Sequence, residues 1–191
     1  YTLALLKQAA LMGISNEQKA DNRAAAVSTM RTIPLGQLLI MVHPHLYNLT
    51  VAPLSPDAST LPPLNALSVA SVDHKHILLM NTGDTIIIFA GKHTQPQHLL
   101  DLFGVGTLNE IQTGFVMMPE FDTELNVGTR SLIAALQQTR ESSGLMAQRV
   151  FVAVDDRHLM PYLIADRTRN FHSYHEFIAQ LQRNIQQRIN S

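Results

Sequence analysis

The stretch that decides the fold is His76-Ile-Leu-Leu-Met-Asn-Thr-Gly-Asp-Thr-Ile-Ile-Ile-Phe-Ala-Gly-Lys92. Two apolar runs, 77–80 and 85–89, flank the polar segment 81–84, whose Gly83 can adopt a positive φ. Neither run alternates cleanly between apolar and polar residues, which is typical of strands covered on both faces. The stretch therefore predicts a β-hairpin at the centre of a sheet.

The composition is that of a folded globular protein. The 191 residues are 46% hydrophobic and 15% charged, with a formal net charge of −1, which disfavours both disorder and a nucleic-acid partner. Cysteine is absent, which excludes disulfides, thiolate metal sites and thiol chemistry. No apolar run approaches the roughly 18 residues that a membrane helix needs. Because the chain begins at Tyr1 within an apolar periodic stretch, we expect a C-terminal piece of a longer protein.

Residues 1 to about 43 are predicted to be helical. Apolar residues at helical spacing indicate a first helix that Gly13 interrupts, and an alanine-rich second helix follows over about 16–30. Pro34 fits the first turn of a third helix, and Pro44 ends it because proline cannot continue the hydrogen-bond ladder.

From residue 46 onward, strand patterns interleave with helical ones, which predicts an α/β layer structure. A proline-rich loop over 52–64 separates the first strand from the hairpin. Besides the hairpin, the patterns predict strands at 46–51, 113–118 and 149–154, and helices at 96–103 and 123–140.

The last helix carries the clearest local signal. Ser173-Tyr-His-Glu176 is a capping box, in which serine accepts an unpaired N–H and glutamate reaches back. An apolar stripe at helical spacing follows, formed by Tyr174, Phe177, Ile178, Leu181, Ile185 and Ile189. The stripe predicts that Phe177 is buried, so that Phe177→Ala would cost about 3–5 kcal/mol.

Two histidine pairs are candidates for a metal site. His43-Pro-His45 and His74-Lys-His76 each space two imidazoles so that, on a strand, they face the same side. Neither pair has a third ligand at a telling spacing, so we expect no metal. His172 and His175 are expected to be surface residues at the start of the last helix.

The acidic and glycine-rich segments do not predict a catalytic or cofactor site. Asp73, Asp84, Glu110 and Glu120 are scattered, whereas Ca²⁺ takes six or more oxygen ligands. Phe103-Gly-Val-Gly106 lacks the third glycine of a dinucleotide fingerprint, and no G-x-S-x-G motif occurs. We therefore expect no catalytic, cofactor-binding or metal-binding residues, and no enzyme activity.

Charged and methionine-containing segments have structural interpretations. The mixed-charge run 155–157 is expected on a solvated face, and 166–169 either there or anchoring a loop. Met117 and Met118 are expected to fill the core.

The order of several motifs resembles one family, the COPII inner-coat cargo adaptors. The end of that family's helical domain is similar to Ala4-Leu-Leu-Lys7, Pro34-Leu35, Leu38-Leu39 and His43-Pro-His-Leu-Tyr-Asn-Leu49. Four further segments resemble parts of the family's C-terminal gelsolin-like domain: Pro62-Pro-Leu-Asn-Ala-Leu-Ser68, the hairpin, Asp166-Arg167 and Ser173-Tyr-His-Glu-Phe177. The resemblance implies that residues 1–45 end an all-helical domain and 46–191 form a gelsolin-like domain, a mixed sheet of about five strands flanked by helices.

The resemblance implies a non-enzymatic module of a vesicle-coat cargo adaptor in ER-to-Golgi protein transport. The implied location is cytoplasmic, peripheral on the endoplasmic reticulum membrane and on COPII vesicles. The implied partners, through the full-length chain, are the GTPase-activating sister coat subunit, a small GTPase and cargo proteins. The zinc expected in the full-length protein lies outside this chain, because cysteine is absent. The family's cargo pockets lie mainly in another domain, so no partner-binding residue is assigned.

Two alternative functions remain open. The GTPase-activating sister subunit shares both domains, although Leu163-Ile-Ala-Asp-Arg167 with the last helix favours the adaptor. The other alternative is a calcium-dependent actin-binding domain of the gelsolin type. Asn81 and Phe89 stand where gelsolin-like hairpins often carry aspartate and tryptophan. Asn81 therefore lacks a carboxylate that could serve calcium in actin-severing relatives.

Overall fold

The computed structural model describes residues 2–6, 20–51, 53–56, 59–167 and 172–189. Its helices are α1 (Thr2–Leu6), α2 (Ala20–Thr32), α3 (Leu35–Val42), α4 (Pro96–Phe103), α5 (Glu124–Glu141) and α6 (Tyr174–Ile189). Its strands are β1 (His45–Asn48), β2 (Ile77–Asn81), β3 (Thr85–Ala90), β4 (Gly114–Val116) and β5 (Arg149–Ala153). Short 3-10 turns lie at 69–71, 108–110, 156–158 and 160–162.

The five strands form one mixed sheet in the order β1-β2-β3-β5-β4. β3 lies in the middle, antiparallel to β2 with Leu79 opposite Ile88, and parallel to β5 with Ile88 opposite Val152. β1 and β4 form the two edges and are each antiparallel to their single neighbouring strand. The α/β fold class and the central hairpin are both confirmed.

The hairpin is apolar throughout because both faces of the sheet are covered. Leu79 and Ile88 point into a core that also contains buried residues of α4 and α5, such as Leu102. On the other face, Leu78 and Phe89 pack in a second core with buried residues of the loops and turns: Leu67, Val72, Leu159 and Leu163. Every residue of β2 is buried, and so is every residue of β3 after Thr85.

The hairpin turn is closed by polar side chains. Gly83 adopts a φ of 93°, as its place in the turn predicts. The Asn81 Oδ1 atom accepts hydrogen bonds from the Gly83 backbone N–H at 2.9 Å and from Gln148 Nε2 at 2.6 Å. The Thr82 hydroxyl donates to Asp84 Oδ1 at 2.6 Å. Asn81 thus supports the turn without needing a carboxylate.

The two middle helices agree with their predicted positions. α4 has the predicted bounds and ends at Gly104, whose φ is 72°. α5 begins after Thr123, whose hydroxyl accepts from the Asn126 N–H at 3.3 Å. Gly128 of α5 is buried, and a Cβ there would lie 2.4 Å from Leu54 Cβ. The glycine therefore lets the proline-rich loop lie directly against α5.

Several predicted bounds were wrong. β1 covers His45–Asn48 rather than 46–51, because the Asn48 side chain accepts from the Thr50 N–H at 3.0 Å and turns the chain. β4 is only Gly114–Val116, and Met117, expected in the core, is 95% exposed just beyond it. Pro34 precedes α3 as its N-cap, one position before the first turn.

In the helical segment, the described part of the second helix is Ala20–Thr32, which ends two residues after the predicted end near 30. Residues 16–19 and the predicted break at Gly13 lie outside the described residues. The remaining strand, β5, ends one residue before its predicted end at Val154.

Candidate interaction surface

The capping box that starts α6 is formed as predicted. The Ser173 N–H donates to Glu176 Oε2 at 2.8 Å, and the Glu176 N–H donates to Ser173 Oγ at 3.3 Å. The hydrogen bond from the Ser173 backbone lowers the pKa of Glu176. The Tyr174 N–H also donates to the Ala165 carbonyl at 2.9 Å, which attaches the helix start to the preceding loop.

The predicted burial of Phe177 was wrong. Phe177 and Ile178 are half-buried, and no described residue of α6 is fully buried. Exposure is high along the rest of the stripe: Tyr174 52%, Leu181 45%, Ile185 50% and Ile189 76%. The helical spacing placed the apolar residues on one face, but the described residues cover that face only in part.

An apolar groove of about 530 Å³, the α1–α6 groove, lies beside this partly covered face. Leu3 of α1, Leu67 and Ile164 of the loops, and Phe177 and Leu181 of α6 are among its lining residues. Leu3 and Leu67 are themselves buried. The groove therefore joins the helical segment, the loop core and the last helix. Large apolar surfaces that remain accessible are typical of interaction sites.

The first histidine pair lies at the junction of the helical segment and the sheet. His43 also lines the α1–α6 groove, and burial lowers its pKa. Burial, and then the neighbouring charge of His43, lower the pKa of His45. The His45 Nδ1 atom lies 3.4 Å from the Tyr47 hydroxyl. Both imidazoles are thus biased toward the neutral form.

The second histidine pair contacts neighbouring loops. His76 Nδ1 lies 2.8 Å from the Thr50 hydroxyl, and His74 Nε2 lies 3.6 Å from Asp156 Oδ2. Within the described ranges, no three histidine, aspartate or glutamate side chains converge as a metal site would require. The expected absence of a metal remains a prediction. His172 and His175 lie exposed at the start of α6, as predicted.

The four acidic residues considered for calcium are each engaged locally. Asp84 accepts from Thr82 within the hairpin turn. The other contacts are Asp73 Oδ1 with the Lys75 N–H at 2.9 Å, Glu110 Oε2 with the Gly106 and Thr107 N–H groups at 3.1 Å, and Glu120 with Arg130 at 3.8 Å. Turn geometry and surface pairing account for these positions.

The two mixed-charge runs differ. Asp155 and Arg157 pair at the surface, and the hydrogen bond from the Arg157 side chain lowers the pKa of Asp155 to about 2. Asp166 anchors a loop: its Oδ2 atom accepts from the Val69 N–H at 2.6 Å. Arg167 lies 3.3 Å from Glu176 of α6. The described part of the second run, 166–167, therefore connects the 69–71 turn and the start of α6, and residues 168–169 lie outside the described residues.

Sequence reasoning missed Asn126, a fully buried polar residue of α5. Its Nδ2 atom donates to the Leu102 carbonyl at 2.9 Å and to the Pro119 carbonyl at 3.0 Å. Its Oδ1 atom accepts from the Phe121 N–H at 3.2 Å and from Arg130 Nε at 2.8 Å. Asn126 thus ties α4, α5 and their connection together. Its place three residues after the N-cap Thr123 gave no signal of these distant partners.

Comparison with known proteins finds two similarities, one to the gelsolin repeat and one to Sec24 proteins. A family model described as the gelsolin repeat matches residues 58–133, which span the hairpin, α4, β4 and part of α5. The protein transport protein SEC24 of Yarrowia lipolytica is 27% identical over 186 residues, 90% of this chain and 19% of the relative. Human protein transport protein Sec24B is 28% identical over 191 residues, covering 97% of this chain and 15% of the relative.

The chain is similar to Sec24 proteins over nearly its whole length. The crystal structure of the human COPII-coat protein Sec24c has the same fold, with a TM-score of 0.82 over 98% of this chain and 25% of that one, at 23% identity. The chain thus spans less than a fifth of the two Sec24 relatives above. Across the described residues, no helix is both long enough and apolar enough to cross a bilayer.

Proposed function

We propose that this chain is the non-enzymatic C-terminal module of a COPII cargo adaptor that acts in ER-to-Golgi protein transport. The observation that carries the proposal is continuous similarity to Sec24 proteins over 90% and 97% of the chain. Neither the gelsolin-like sheet alone nor the helices alone would produce a match of that extent. The similarity of both parts, in the same order, therefore favours the adaptor over an isolated actin-binding gelsolin domain.

The proposal includes two domains within the chain. Residues 1–45 end an all-helical domain, and residues 46–191 form the gelsolin-like domain. The α1–α6 groove supports a fixed junction between them, because Leu3 of the first part and Phe177 of the second line it together. In this arrangement the module works structurally.

The proposed partners act through the full-length adaptor. They are the GTPase-activating sister coat subunit, a small GTPase and cargo proteins, on the cytoplasmic surface of the endoplasmic reticulum and on COPII vesicles. The zinc of the full-length protein would lie outside this chain, which contains no cysteine.

Affinity purification of the tagged full-length protein from its own cells, followed by mass spectrometry, tests the proposal. We expect to recover the sister coat subunit and the small GTPase. The tag alone, expressed in the same cells, is the control. Recovery of actin without coat proteins would contradict the adaptor function.

A calcium titration distinguishes the adaptor function from the alternative, a calcium-dependent actin-binding domain of the gelsolin type. A ligand that binds only the folded state raises the melting temperature. We expect an unchanged melting temperature of the 191-residue chain when calcium is added in excess, with magnesium as the matched control. A rise specific to calcium would support the actin-binding alternative.

A further inference from the structure

β4 (Gly114–Val116) leaves one edge of the sheet open. It pairs with β5 on one side, and no other strand of the described residues pairs with its outer side. The opposite edge is different, because the Asn65 N–H donates to the Leu46 carbonyl of β1 at 2.8 Å. An open strand edge presents backbone donors and acceptors that can pair with another extended chain.

A groove of about 450 Å³, the β4–α5 groove, is lined by residues of β4, of α5 and around the start of β5. Its lining includes the apolar side chains Val116, Met118 and Ile133, and the polar side chains Arg130, Gln148 and Arg149. Val116 and Met118 are only partly buried against the core. The groove therefore offers apolar contacts next to a free backbone edge, which is the arrangement that strand-adding peptides use.

Gln148 contributes an unsatisfied acceptor to the groove lining. The residue is 3% exposed, and its Nε2 atom donates to Asn81 Oδ1 at 2.6 Å. Its Oε1 atom is buried and has no hydrogen-bond donor among the described residues. This buried acceptor without a donor is unfavourable and lies beside the groove.

The charges at the groove are positive. The Arg149 guanidinium lies 3.8 Å from the centre of the Phe115 ring, and no carboxylate of the described residues forms an ion pair with it. Among the described residues, Arg130 lies 3.8 Å from the Glu120 carboxylate, itself 81% exposed, and its Nε atom donates to Asn126. Arginine binds carboxylates through paired hydrogen bonds. Charge complementarity therefore selects an acidic ligand.

We propose that β4 and the β4–α5 groove bind an extended peptide with alternating apolar and acidic side chains. The peptide backbone pairs with the open edge of β4, and an apolar side chain enters the groove. An acidic side chain binds Arg149. The proposal goes beyond the coat function and does not depend on it, since it requires only the geometry of this edge.

The test uses the 191-residue chain and a fluorescein-labelled synthetic peptide, Val-Glu-Val-Glu-Val. We expect saturable binding by fluorescence anisotropy, weakened by added salt. A Val-Lys-Val-Lys-Val peptide is expected to bind at least tenfold more weakly. The same Val-Glu peptide with N-methylated backbone amides is also expected to lose binding, because it cannot form strand hydrogen bonds. Equal binding of all three peptides would overturn the proposal.

Arginine variants locate the site. Arg149→Gln is expected to weaken binding of the Val-Glu peptide about five- to tenfold, while Arg149→Lys retains part of the affinity. Arg183→Gln, at an exposed position on α6, is the matched control and is expected to bind like the unmodified chain. Equal losses in Arg149→Gln and Arg183→Gln would overturn the proposal. The melting temperature of each variant shows whether it folds.

Amide chemical shifts show which site the peptide binds, and whether a second copy of the chain occupies β4 instead. The peptide is expected to shift the amide signals of 114–118 and 148–150 and to leave those of α6 unchanged. Shifts confined to the α1–α6 groove would overturn the proposal. Shifts at β4 that depend on protein concentration, without peptide, would instead identify a second copy of this chain as the occupant and overturn the peptide proposal.

Discussion

The hairpin β2–β3 and the helix α6 both carry a regular apolar pattern in the sequence, yet they differ in burial. Ile88 of the hairpin is fully buried, whereas Ile189 of α6 is 76% exposed. The described residues cover both faces of the hairpin, because α4 and α5 pack on one face and loop and turn residues such as Leu67 and Leu159 pack on the other. The α6 stripe needs a partner surface, of which the described residues supply only the loop core and α1. The apolar periodicity thus indicates which face of an element is apolar. How far that face is buried depends on the surface that packs against it.

The largest effect is expected from the same substitution made in both regions. Ile88→Ala should lower the free energy of unfolding by about 2–5 kcal/mol, because it removes methyl groups from a core that lacks space to collapse. Ile189→Ala is the matched control and should change that free energy by less than about 0.5 kcal/mol. Urea denaturation followed by circular dichroism measures both. Similar losses in the free energy of unfolding for the two variants would contradict the difference in burial between the hairpin and α6.

Phe177→Ala should have an intermediate effect. The side chain is half-buried, so we expect a loss of about 1–2 kcal/mol instead of the 3–5 kcal/mol that full burial implied. The urea midpoint measures the loss, and Phe177→Leu, which keeps most of the apolar volume, should retain most of the stability. A loss above about 3 kcal/mol would show that the aromatic ring is better covered than its exposure indicates.

A smaller effect is expected at the helix start. Ser173→Ala removes the acceptor for the Glu176 N–H and should destabilise α6 by about 1 kcal/mol. Amide hydrogen exchange in α6 measures this locally, since the helix can open without unfolding the sheet. Ser142→Ala, at the end of α5, is the matched control and should leave exchange in α6 unchanged. Faster exchange in the hairpin as well would mean that the two regions open together.

Local patterns predicted much of the fold. α4, the hairpin and the capping box depend on residues close in sequence, and their positions agree with the structure. The ends of β1 and β4 were predicted less well, because a side-chain turn at Asn48 and an edge position end strands that propensity would continue. The groove beside β4 was not predicted. Arg149 and Gln148 come together with α5 only through the sheet order, which no local pattern contains.

The smallest effect concerns pH at the junction between the helical segment and the sheet. The pKa values of His43 and His45 are lowered, chiefly by burial, so folding favours their neutral forms. The unfolded chain therefore binds more protons as the pH falls below the ordinary histidine value near 6.5. Their contribution to stability is complete above that pH and is lost as the pH falls toward the lowered folded-state pKa values.

We expect a modest fall in the urea midpoint between pH 7 and pH 5, and a shallower fall in the double variant His43→Gln/His45→Gln. The lowered pKa of Glu176 acts in the same direction, but only as the pH falls below the ordinary glutamate range. His172→Gln is the control, because this histidine is exposed beside α6. A pH dependence that the double variant leaves unchanged, but His172→Gln reduces, would assign the titration to the exposed histidine beside α6 and not to the half-buried pair at the junction.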